Sequence, residues 1–128
     1  MDKLQAYSKF WESFGIPAFD ELTVPIASDR KKMFGSEFPY ITYETVSDDF
    51  DNTVFLTASL WYRESTWAGV TAKEKQISQS IGRGGTVVSY DEGAFWIRKR
   101  NPWATRMLDP DDDTIRRIVL QYTLEFFD

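Results

Sequence analysis

The 128 residues contain no cysteine and no histidine. Without cysteine there can be no disulfide, no thiolate nucleophile and no Cys-ligated zinc. This fits a reducing compartment without assigning one. Without histidine the chain lacks the most frequent general acid/base and the commonest transition-metal ligand. A serine triad would have no imidazole base, and no Gly-x-Ser-x-Gly elbow occurs. Long apolar runs are also missing, and none approaches the roughly 18 residues of a membrane span. The opening Met1-Asp2-Lys3-Leu4 leads straight into an amphipathic pattern, so no signal peptide is expected. Positive charge is the minority: 15 Lys and Arg against 20 Asp and Glu give a net charge of −5. That balance weighs against a general nucleic-acid binder.

Aromatic residues are abundant, with five Trp, six Tyr and ten Phe. A chain of this length matches one ordinary domain and buries roughly two thirds of its unfolded surface. Such a core can take many of these rings, but not all. Exposed Trp and Tyr are enriched at protein interfaces.

Periodicity orders the chain. Leu4, Tyr7, Trp11 and Phe14 recur on one helical face, predicting a helix over Asp2–Phe14, ended by Gly15 and Pro17. Residues 16–25 read as a short extended crossing. The stretch at about 26–37, with Asp29-Arg30-Lys31-Lys32 at its centre, has no sustained period and reads as an exposed loop with room for a helical turn. Phe38–Val46 and Thr53–Tyr62 read as an antiparallel hairpin joined by a polar turn over 47–52. In the second of these strands Val54, Leu56, Ala58, Leu60 and Tyr62 share one face, and Phe55, Thr57, Ser59 and Trp61 the other. A second helix is expected from a Ser65 or Thr66 cap, or from the capping box at Thr71–Glu74, to Ile81. Two short strands follow, Thr86–Tyr90 and Ala94–Arg100. A connection over Asn101–Asp113 then leads to a last strand, Thr114–Phe127, whose even positions from Ile118 to Phe126 are apolar. The expected fold is a single α+β domain over 1–128: a mainly antiparallel sheet with two α-helices packed on one face.

A calcium loop starting at Asp109 would need Gly where Thr114 stands and Glu where Leu120 stands, so Asp109–Asp113 reads as a solvated acidic turn. Gly82-Arg83-Gly84-Gly85 follows a helix and precedes a strand, the reverse of a P-loop, and lacks the Gly-Lys-Ser/Thr signature. Carboxylate pairs such as Glu44 with Asp48, or Asp91 with Glu92, are inevitable among 20 acids, and nothing marks a cleft around them. No catalytic, cofactor-binding or metal-ligating residue is therefore assigned. Arg98-Lys99-Arg100, with Trp103 and Arg106 beyond, reads first as the solvent side of an edge strand and second as a patch for nucleic acid. An acidic protein partner fits either reading.

The order of elements and several strings carry a resemblance. Phe14-Gly15-Ile16-Pro17 ends the first helix and Val24-Pro25 follows. Phe38-Pro39-Tyr40-Ile41-Thr42-Tyr43 opens one strand. Leu56-Thr57-Ala58-Ser59-Leu60-Trp61-Tyr62 runs toward the helix ending Ile77-x-x-x-Ile81-Gly82. Over essentially its whole length the chain resembles the tail-terminator, or tail-completion, proteins of long-tailed bacteriophages and prophages. The resemblance implies a non-enzymatic α+β subunit without an active site, located in the virion tail or neck and assembled in the bacterial host cytoplasm. It implies a homo-oligomeric, hexameric ring that caps the tail tube and meets the head–tail connector. Neither membrane nor specific nucleic-acid binding is implied, and DNA passes through the lumen. The basic stretch at 26–37 is longer than the family pattern. On this reading the interface residues are Phe55, Trp61, Trp67, Arg98, Arg100, Trp103 and Arg106. The rivals are a head-closure or minor capsid protein, and a small ligand-binding or enzymatic domain.

Overall fold

The computed structural model describes residues 1–45 and 53–127. The polar turn expected over 47–52 lies outside the described residues, as do the end of the preceding strand at Val46 and Asp48 of one carboxylate pair. Among the described residues the chain forms three helices and one six-stranded, mostly antiparallel sheet. The elements are α1 (Lys3–Glu12), β1 (Ala18–Asp20), α2 (Ala27–Phe34), β2 (Tyr40–Tyr43), β3 (Val54–Arg63), α3 (Ala68–Ile81), β4 (Thr86–Tyr90), β5 (Gly93–Leu108) and β6 (Ile115–Phe127). The sheet order is β1-β2-β3-β6-β5-β4, and β1 alone pairs in parallel, with β2.

The mixed α+β architecture follows the expectation; the count of two helices does not. Residues 27–34 within the expected loop form α2. They lack an apolar stripe because a buried cation anchors the helix. Arg30 is 8% exposed and donates from Nε to the Glu37 carbonyl (3.1 Å) and from Nη1 to the Pro25 carbonyl (2.6 Å). Its guanidinium lies 4.2 Å from the Tyr40 ring centroid, and Phe34 meets Phe19 edge-on. Gly35 closes the helix at φ 86°, a left-handed conformation that favours glycine.

Helix α1 starts at Asp2, whose side chain accepts from the Gln5 N–H while the Gln5 side chain returns the bond. Ala6, Tyr7, Trp11 and Phe14 are buried, whereas Leu4, at the open end, is 40% exposed. Helix α3 begins between the two expected starts. Thr66 Oγ1 accepts from the Ala68 N–H, and Glu64 Oε1 accepts from the Val70 N–H. These bonds meet two of the otherwise unpaired first-turn donors.

The core joins Tyr7, Trp11, Val70 and Ile77 to Ile41, Leu56, Leu60, Phe95, Ile97 and the even positions 118–126 of β6. β3 and β6 align over ten residues, Val54↔Leu124 through Arg63↔Ile115, so the two alternating patterns bury together. At Gly85 (φ 87°) a Cβ would lie 2.5 Å from the Ile97 carbonyl oxygen, so this turn needs glycine to approach β5.

The main departure is β5. The strand expected to stop at Arg100 runs on to Leu108, with a register shift between Lys99 and Ala104. Pro102, which has no N–H to give a ladder, falls within that shift, and pairing resumes at Ala104↔Leu120. Trp103 and Arg106 therefore stand on a strand rather than in a connection.

Candidate protein-binding surfaces

The seven candidate residues divide into separate places. Phe55, Thr57, Ser59 and Trp61 alternate with the core-facing residues of β3. Through Phe55↔Thr123 and Arg98↔Thr123 the same sheet face continues onto β6 and β5. Phe55 is 65% exposed, and the Arg100 guanidinium lies 4.6 Å from its ring centroid. Arg98 lies 3.9 Å from the Trp96 ring, and its Nη2 is 3.9 Å from Glu125 Oε1. Glu125 also accepts from Thr53 Oγ1 at 2.8 Å. Phe55, Arg98 and Arg100 thus form one half-open patch of ring and guanidinium.

Trp61 shares this sheet face but is satisfied within the chain. It stacks on Tyr40 at 6.0 Å and 11°, donates Nε1–H to Thr42 Oγ1 (2.9 Å), and carries the Arg117 guanidinium 4.5 Å from its ring. The row continues through Tyr40 to Arg30, tying α2 to the sheet.

Trp67 and Arg106 form a second cluster. The Arg106 and Arg116 guanidinium carbons lie 5.0 and 5.5 Å from the Trp67 ring centroid. Arg106 Nη2 reaches Thr71 Oγ1 at 3.4 Å, while Arg116 donates to the Ser65 carbonyl (3.2 Å) and to the Asp113 carbonyl. Trp67, Arg106 and Thr71, with Ala68, Ala72 and Lys75, line a shallow depression between α3 and β5. Trp103 is half-buried and packs against the core. Arg116 and Lys75 escaped the sequence reading, because only the folded chain brings α3 and the start of β6 together.

The segments weighed for chemistry serve the backbone. Asp109 Oδ1 accepts from the N–H groups of Asp111 and Asp112, and Asp112 Oδ1 from the N–H and hydroxyl of Thr114. The hydroxyl and N–H of Thr114 hold the Asp112 carboxyl below its ordinary range. In the Gly82–Gly85 turn, the Gly84 carbonyl accepts from Trp96 Nε1 at 3.0 Å. Glu44 Oε1 accepts from the N–H (2.5 Å) and hydroxyl (2.7 Å) of Thr57. Asp91 pairs with the terminal amine. Burial, followed by the Glu44 and Asp20 charges, raises the Glu21 carboxyl. Burial likewise pushes Tyr62 up to about 12 and raises Tyr7 and Tyr122 well above the phenol range.

No family model matches the chain, and no curated protein or solved structure shows significant similarity to it.

Proposed function

We propose that this chain is a non-enzymatic structural subunit of the phage tail-terminator type, which assembles as a hexameric ring and binds tail-tube and connector proteins through its surfaces. In this reading α1 and α3 cover one face of the sheet, and a neighbouring subunit covers the face carrying Phe55. The observation that carries it is that aromatic–guanidinium clusters stand in separate places on the chain, among them exposed Phe55 with Arg100, and Trp67 with Arg106 and Arg116. A ring is closed by a heterologous interface, in which two different patches of one subunit meet on its neighbours. Arginine and aromatic side chains are the types that dominate such interfaces energetically. A lumen with a negative balance would let DNA pass without adhering, since phosphate binding requires Lys and Arg.

Negative-stain imaging of the concentrated protein tests the reading. Rings with sixfold averages are expected, and particles of single-chain size in every field would overturn it.

A further inference from the structure

Within the sheet, β5 is paired unevenly. β4 reaches only to Thr86↔Ile97, whereas β6 accompanies β5 to Leu108↔Arg116. Among the described residues, the side of Ala104–Leu108 that faces away from β6 has no strand beside it. Five residues of strand make about 17 Å of edge with alternate N–H and C=O groups free to pair. The opposite end of the sheet, β1, is only three residues long. Met107 and Leu108 on the open edge are 44% and 62% exposed.

The edge has a charged flank. Arg106 lies on the α3 side of β5, beside Trp67 and Thr71, and Lys75 lines the same depression. Neither Arg106 nor Arg116 has a carboxylate ion-pair partner among the described residues; both make contacts with neutral groups. Two guanidiniums against one indole, with a lysine nearby, form a cationic site on a protein whose net charge is −5.

We infer that the open edge of β5, from Ala104 to Leu108, binds an extended acidic peptide as an added strand beside β5, with one row of its side chains on the α3 side of the sheet. The inference rests on the reading of the chain as a protein-binding subunit and specifies how one surface binds. Main-chain pairing supplies affinity, and alternating side chains supply selectivity. Side chains opposite one another across a ladder share a face. Every second guest position shares the α3 side with Ala104, Arg106 and Leu108, where a carboxylate opposite Arg106 faces the depression that Lys75 also lines, and the intervening positions lie beside Thr105 and Met107. A second copy pairing antiparallel through the same segment, centred on Arg106, would set Arg106 against Arg106, a destabilising like-charge pair. A nucleic-acid strand could meet the cations and Trp67, but it has no peptide groups to continue the ladder.

Fluorescence anisotropy tests this with a labelled peptide of alternating glutamate and valine, at a protein concentration where light scattering reports single chains. Saturable binding is expected. It should weaken at least about tenfold when lysine replaces glutamate, or with the Arg106→Glu protein, as expected for loss of a complementary charge. It should also be lost when alternate peptide nitrogens are methylated on the ladder side, a change that leaves the protein untouched. The inference is overturned if the unmodified peptide does not bind, if the methylated or lysine peptide binds equally well, or if oligothymidylate binds more tightly than the peptide. It is overturned too if the edge pairs with the same edge of a second copy, seen as a dimer that competes with the peptide. Ring formation is scored separately by imaging, so either idea can fail without the other.

Discussion

Tyr7 and Tyr122 meet hydroxyl to hydroxyl in the core, and Tyr7 also reaches the Glu44 carbonyl at 2.6 Å. A phenol has one proton to give. If Tyr7 donates to Glu44, Tyr122 must donate to Tyr7. Tyr7→Phe breaks both links and leaves a buried hydroxyl without its acceptor, so urea unfolding should show a loss of about 1–3 kcal/mol. Burial, the largest cause at both residues, raises both phenols in the folded protein, so folding favours their neutral forms. That contribution is complete below the unfolded phenol value of about 10 and is lost as pH rises above it toward the folded values. The urea midpoint should therefore fall on the alkaline side of that value, and less steeply in Tyr7→Phe, which has one fewer group to ionise. An equal slope in the two proteins would contradict this assignment. Both residues were legible singly, Tyr7 from the helical face and Tyr122 from the alternation of the last strand. Their bond was not, because 115 positions separate them and neither pattern names a partner.

At the scale of elements, apolar periodicity was a sound guide wherever hydrocarbon packing holds the element. α1, β3, α3 and β6 stand close to where their stripes placed them. α2 was missed because one buried arginine holds it, and charge in a sequence reads as solvent-facing. Arg30→Ala removes two hydrogen bonds to carbonyls and the contact with Tyr40. Hydrogen exchange should show 27–34 losing protection while β3 and β6 keep theirs, as expected for a locally opening unit. Unchanged exchange in α2, or uniform loss across the sheet, would contradict that picture. β5 extends past the expected end at Arg100 for a different reason. Pro102 has no N–H for the ladder, but the register shift absorbs it and the ladder resumes. The basic stretch with Trp103 and Arg106 reads as the side of an edge strand; the pairing puts β5 between β4 and β6 up to Ile97 and opens its edge over Ala104–Leu108, which holds Arg106 and not Trp103.

For the whole molecule, the missing histidine and cysteine narrowed the chemistry, and the surplus of aromatic residues turned attention to surfaces. The division of the candidates between two patches could not be read from the chain, because Trp61 carries the same signal as Phe55 yet is satisfied internally. Phe55 contributes little to the fold at its level of exposure. Phe55→Asp should therefore change monomer stability by no more than about 0.5 kcal/mol. If the face around it joins subunits, the same substitution should prevent assembly. Light scattering across concentration measures this directly. The account predicts that the wild-type mass rises from one chain to six as concentration increases, and that Phe55→Asp remains at one. A wild-type protein that stays at the mass of a single chain throughout would contradict it.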